Sequence, residues 1–445
     1  MTHAQDQIFQ GRPGARHAVR PALRNTLAAG FVLLPLAAAA RLPSAPPAPA
    51  QSFHDAVAAA WARLPQRQDL TAQGASAAAR YAAGGAFLPN APYAIGTYFN
   101  DKAVGSNYNY ITSQAEVGTP IWLPGQGRAT QATAQADGAA VLAAVEAAHL
   151  ALAAQVLDLA AQATVAANAR DVAARRLATA RSLAADLARQ FRVGEASQSD
   201  SLAASADAAN AALTLSGAEA QLAAAQSALA VVVGSPTVPR LDAPRLDAPR
   251  LDAPRLDTSG PALAASPNPA AAHPRIAAAA RAVEAAQAAS RLARIESRDS
   301  PEVGLQGINE KQPGTKWDTR FGVTFRLPFA TEARNAPRRA AAEQAVTQAT
   351  VQLTLAQREV QSGIQQAQAM LAGAERGSAA SVRAAAELEK RRGQIERAWR
   401  VGEMPLIEVV RSNALAFDAE YARDKARTDL AAARLRLRLA EGALP

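Results

Sequence analysis

From Arg128 to Arg192 the chain runs for 65 residues without proline and with one glycine, Gly138. Apolar side chains recur there at helical spacing: Val141, Leu142 and Val145, then Leu152, Val156 and Leu159. At 1.5 Å per residue, one helix over this stretch is about 100 Å long. No ordinary globular core is that wide. The helix must bury its apolar stripe along partner helices, in a coiled-coil-like assembly. Alanine dominates and aromatics are 4% of the chain, which suits long helices packed through small side chains.

The places where helices must stop are equally legible. Val193-Gly194 ends the long helix, since glycine just past a helix accepts the left-handed backbone. Ser197, Ser199 and Asp200 offer caps for a returning helix that reaches Val233 and Gly234. The second half follows suit. Pro337 suits the first turn of a helix running to Trp399. That helix turns at Gly402, and its return ends at Gly442. The string Arg-Val-Gly-Glu occurs at both turns, 208 positions apart, and 40 positions separate Gly194 from Gly234 and Gly402 from Gly442. Leu202, Leu222 and Leu229 match Val410, Leu430 and Leu437 at the same offset. A chance tetrapeptide would not bring this register with it, so the chain is a tandem duplication.

Upstream, Gly118–Gly125 (GTPIWLPG) parallels Gly322–Phe329 (GVTFRLPF) at an offset of 204, which leaves four extra residues before the turn in one half. Leu64-Pro65 parallels His273-Pro274. Between these markers lie the strand-like regions. In Pro92–Asn100, Tyr93, Ile95, Thr97 and Phe99 alternate; farther on, Ile111, Ser113, Ala115, Val117, Thr119 and Ile121 do the same. The counterpart is Ser300–Pro328, with Gln312-Pro313-Gly314 as its turn. Strands of about 10 residues with aromatics near their ends fit an outer-membrane hairpin, and equally a small soluble β-subdomain. Two hairpins give four strands, too few to close a barrel. If they cross a membrane, the chain must oligomerise, because an open edge in lipid is not viable.

The N-terminus reads as a secretory signal. Arg12, Arg16, Arg20 and Arg24 precede the apolar run Leu27–Ala40, and Ala48–Ala50 offers a cleavage site. That run is shorter than the ~20 residues a membrane anchor needs, and no other stretch reads as a spanning helix. Cleavage after Ala50 lowers the net charge from +9 to +5, with the remaining basic residues spread among carboxylates, so no nucleic-acid partner is indicated. Residues 239–257 repeat Pro-Arg-Leu-Asp-Ala with a period of five. Proline at that interval forbids a helix, and the segment reads as a solvated linker in preference to a partner-binding array. The resulting organisation is signal 1–50, first repeat 51–235, linker 236–266 and second repeat 267–445.

The chain has no cysteine, which excludes disulfides, thiolate chemistry and lipid attachment at an N-terminal Cys. His3, His17, His54, His149 and His273 are scattered, with no zinc-type spacing. There is no nucleophile–base pair and no phosphate loop, so neither an enzyme nor a resident cofactor or metal is indicated.

This organisation resembles the TolC-like outer-membrane efflux family over Phe53–Gly442. The likeness rests on Val193-Gly194 and Val401-Gly402 at the turns, the small-residue helices behind them and the paired Leu-Pro sites after the strands. Residues His273–Leu305 look most like the CzcC-like heavy-metal-efflux branch. The resemblance implies a mainly α fold with a membrane β part. Three chains would form a helical tunnel through the periplasm and, at four strands each, a 12-stranded β-barrel in the outer membrane of a Gram-negative bacterium. The implied partners are two further copies of the chain, outer-membrane lipid, a periplasmic adaptor (membrane fusion protein) and an inner-membrane pump of the RND type.

By the same resemblance, Val193, Gly194, Val401 and Gly402 are adaptor-docking tips, and Asp200, Trp399 and Glu408 line a periplasmic gate. The bland readings are that the glycines only cap helices and the carboxylates only face helix dipoles. Two departures stand out: Met404 occupies the place of the family's gate arginine, and Arg411 that of a further acidic residue. The function implied is a passive duct for cargo from the pump, with divalent metal cations as cargo from the branch likeness. The alternatives are the duct of a type I protein secretion system and, from a different class, a periplasmic adaptor. An adaptor would carry one hairpin flanked by halves of a β domain, not two complete units.

Overall fold

The computed structural model describes residues 51–102, 104–105, 108–241 and 273–444. The signal-like region and the proline-rich repeat beyond residue 241 lie outside the described residues. A short helix comes first, α1 (Phe53–Arg63), which the sequence reading passed over. It starts at a capping box, in which the Ser52 hydroxyl accepts from the Asp55 amide while the Asp55 carboxylate reaches back to Ser52. Next come α2 (Pro65–Gly84), β1 (Tyr93–Asn100), β2 (Ile111–Pro120), α3 (Gln126–Arg192) and α4 (Gln198–Val233). The second half repeats the order with α5 (Pro274–Ile295), β3 (Glu302–Lys311), β4 (Asp318–Arg326), α6 (Glu332–Arg400) and α7 (Leu406–Ala440). Pro65 and Pro274 both stand at the first position of their helices.

The long helices α3 and α6 have 67 and 69 residues, about 100 Å each. α6 begins at Glu332, earlier than the sequence suggested, so Pro337 lies inside the helix and not in its first turn. The first turn is closed instead by the Arg334 and Asn335 amides donating to the Thr331 carbonyl. Pro337 removes one helical hydrogen bond beyond it. Of the four extra residues before the turn, two lengthen the connection after Leu327-Pro328 and two lengthen the helix.

Ala204, Ala211 and Ala218 are buried on α4 at seven-residue intervals, the repeat of a coiled-coil seam. On α3, Leu183 and Leu187 pack with Ala204, and Leu177 and Ala180 with Ala211. Part of α3 is long and apolar enough to cross a membrane by composition, against the expectation that no such stretch remained. Its alanine and leucine content has another use here, since α3 packs against α1, α2, α4, α5 and α7.

The main core lies where α1, α3, α4 and α7 meet, and includes Phe53, Val57 and Trp61, Val156 and Leu157, Leu229 and Leu435. His149 is buried in it, edge-on to Trp61 with ring centroids 3.5 Å apart. Its Nε2 has no hydrogen-bond partner. Burial, and then the nearby Arg67, hold its pKa below the ordinary 6.5.

The four strands form one antiparallel sheet in the order β1-β2-β3-β4. The central pairing, from Ile111↔Lys311 to Pro120↔Glu302, joins the two halves of the chain. β1 and β4 are left as the edges.

Candidate functional site

The sheet has two unlike faces. Residues opposite one another in antiparallel strands share a face. Ala94, Val117, Leu305 and Val323 form one such row, and Gly96, Ala115, Gly307 and Phe321 the next. Leu305, Val323 and Phe325 are exposed, and Phe321 is 88% exposed, so this face presents large apolar side chains that none of the described residues covers. The opposite face carries Glu116, Gln306 and Glu302 with Arg320 and Arg326. Here the Tyr93 hydroxyl lies 3.3 Å from Glu116 Oε1 and 3.1 Å from Glu302 Oε2. Thr324 donates to Glu116 at 2.8 Å and Arg326 to Glu302 at 3.5 Å, so one polar network ties all four strands.

The alternation read along β1 (Tyr93, Ile95, Thr97, Phe99) falls on this charged face, opposite to the set read along β2. The pairing Ile95↔Glu116 places it there. Tyr93 lies across Gly118, where a Cβ would come within 2.5 Å of the ring.

Far from the sheet, both hairpin turns have the same backbone. After α3, the Gly194 amide donates to the Phe191 carbonyl and the Glu195 amide to Gln190, at 3.1 and 2.9 Å. After α6, Gly402 donates to Trp399 and Glu403 to Ala398, both at 2.9 Å. These are Schellman motifs, with glycine left-handed at φ +82° and +83°. The motif accounts for the repeated glycine, which supplies the positive φ, and Arg192 and Arg400 sit at the negative end of a helix dipole. Val193 and Val401 are 70% and 71% exposed.

The three residues expected at a gate lie beside these turns. The Asp200 amide donates to the Ser197 hydroxyl, which in turn donates to the Asp200 carboxylate at 2.7 Å, an N-terminal cap of α4. Glu408 is in the first turn of α7 and accepts from Arg411 at 3.0 Å. Trp399 and Met404 instead pack against an apolar cluster that sequence reasoning missed: Leu183, Leu187, Ala204, Ile395, Leu406 and Val409. The cluster draws on both hairpins. The available signal was the helical spacing of Ile395 and Trp399 and of Leu406, Val409 and Val410.

The chain matches no protein-family model. No curated protein matches it in sequence. Solved structures are similar in fold. A membrane protein from Pseudomonas aeruginosa aligns with 18% identity over 92% of this chain and 97% of its own, with a TM-score of 0.66. The Campylobacter jejuni CmeC outer membrane channel aligns with 15% identity over 88% and 85%, with a TM-score of 0.68. The open state of the Neisseria gonorrhoeae MtrE outer membrane channel aligns with 18% identity over 88% and 89%, with a TM-score of 0.65. The chain has the fold of the TolC-like outer membrane efflux channels.

Proposed function

We propose that the protein is the outer-membrane duct of a tripartite efflux system in a Gram-negative bacterium. The observation that carries this reading is the sheet, apolar on one exposed face, charged on the other and open at both edges. It is attached to helices of 67 and 69 residues. Three copies close it into a 12-stranded barrel, with the apolar face toward lipid and the charged face toward water. The helices continue the passage through the periplasm.

The exposed turns, Val193-Gly194 and Val401-Gly402, receive the adaptor, which links the duct to an inner-membrane pump of the RND type. Asp200, Trp399 and Glu408 sit beside the mouth as its gate. Divalent metal cations are the proposed cargo, on the likeness of His273–Leu305 to the heavy-metal branch. Among the described residues of one chain, no group of three His, Cys, Asp or Glu side chains could hold a metal ion. Protein purified in detergent should be trimeric and should conduct ions across a planar bilayer. A monodisperse monomer without conductance would overturn the reading.

A further inference from the structure

Near the turns, the two hairpins meet through apolar side chains. Leu183 and Leu187 of α3 and Ala204 of α4 form one buried cluster with Ile395 of α6 and Leu406 and Val409 of α7. Met404, in the α6–α7 turn, is half-buried against this cluster. The ion pairs at the same level close within a single helix: Arg189 with Asp186, Arg400 with Glu396 and Arg411 with Glu408. Among the described residues, the cross-hairpin ion pair nearest the turns is Arg175–Glu420 at 3.0 Å. Arg175 lies 19 residues before Gly194. That is about 28 Å along the helix.

We propose that an apolar seam, with Met404 of the α6–α7 turn packed against it, clasps the two hairpins of each chain near their tips, so that the hairpins separate by parting apolar surface and not by breaking an ion pair between them. The proposal rests on the duct reading and specifies how its gate is held. An ionic latch between exposed groups weakens as salt rises and fails when its carboxylate is protonated. An apolar seam does neither, and it is weakened by a polar group placed inside it. A polar side chain at position 404 therefore loosens the clasp, whereas Asp200 and Glu408, whose side-chain contacts stay within their own hairpin, do not bridge the two hairpins of a chain.

The chain contains no cysteine, so Val193→Cys and Val401→Cys give a unique labelled pair at the two turns. The experiment is the tip-to-tip spin-label distance in full-length protein, with labelled copies diluted among unlabelled ones. Without further substitution, one distance should persist from about 0.1 M to about 1 M KCl, across a roughly tenfold ionic-strength range, and between neutral and mildly acid pH. Met404→Asp, and more mildly Met404→Gln, should lengthen and broaden the distribution, while Met404→Leu should restore the original one. A clasp that loosens with salt, or an unchanged distance in both polar variants, would overturn the proposal. Bilayer conductance separates it from the reading beneath it. A rise of about tenfold in the fraction of time open for Met404→Asp supports both. Silence in every variant removes the duct reading and leaves the distances to judge the seam.

Discussion

The two turns give a quantitative test at Gly194 and Gly402. Each glycine has φ near +82°, and a Cβ added at either would meet no atom within 4 Å. Alanine at these positions therefore incurs no clash, only the cost of a left-handed backbone, about 1–2 kcal/mol. That corresponds to roughly a 5- to 30-fold increase in local opening. The amides to watch are those of Glu195 and Glu403, each donating at 2.9 Å to close its Schellman motif. In hydrogen exchange, Gly194→Ala and Gly402→Ala should speed these amides by that factor and leave the core around Val156 and Leu157 unaffected. Asparagine tolerates the left-handed region, so Gly→Asn at both turns should exchange more slowly than Gly→Ala. Asparagine also adds a side chain where an adaptor backbone would approach. The paired Asn variant should then cross-link less to a co-expressed adaptor, despite its better-preserved turn. Wild-type exchange in the alanine variants would refute the conformational argument. Wild-type cross-linking in the paired Asn variant would refute docking at these turns.

Three other expectations follow from single side chains. Leu305→Lys puts a charge on the apolar face, at about 2–4 kcal/mol per chain near the bilayer midplane; heat-resistant trimers in the membrane fraction should be lost, whereas Gln306→Lys on the opposite face should keep them, and equal recovery would contradict the assignment of faces. His149→Leu removes a buried nitrogen without a partner, so the melting temperature should rise, by the equivalent of about 1 kcal/mol. Because the folded protein holds the His149 pKa below 6.5, the unfolded chain takes up a proton first as pH falls, and stability drops below about pH 6.5. The variant should show a shallower acid decline, and an unchanged slope would exclude His149 as a source of it. Asp200→Asn should reduce cation preference in a salt gradient if Asp200 faces the constriction; an unaltered reversal potential would leave Asp200 as a cap only.

The helical framework was legible in the sequence because its determinants are local. Long proline-free runs, Ser197 as a cap and glycine at 194, 234, 402 and 442 mark where each helix starts or stops. Duplication supplied the long-range order, since two copies of one unit had to present the same elements. The faces of the sheet were harder. Alternation along β1 reports two sets of residues without saying which set joins the apolar face, and that is decided by register against β2, where Ile95 pairs with Glu116. Pro337 misled because proline at a first helical turn is the common case; here Thr331 starts the helix earlier. α1 was overlooked although Ser52 and Asp55 spell its capping box, since the stretch is short beside its neighbours. The tip cluster was hidden for a different reason. It is assembled from four helices that are remote in sequence, and no local pattern states which of their apolar residues meet.

The central claim is that the four strands line a water-filled barrel within a bilayer, and β4 tests it most directly. Single cysteines placed in turn from Asp318 to Arg326, in a chain with none of its own, can be scored in membranes with an aqueous maleimide and with a fluorophore quenched from lipid. The register predicts a period of two. Asp318, Arg320, Gly322, Thr324 and Arg326 should react from water, and Thr319, Phe321, Val323 and Phe325 should be quenched from lipid. Uniform aqueous labelling along the strand, with no lipid quenching, would contradict the account.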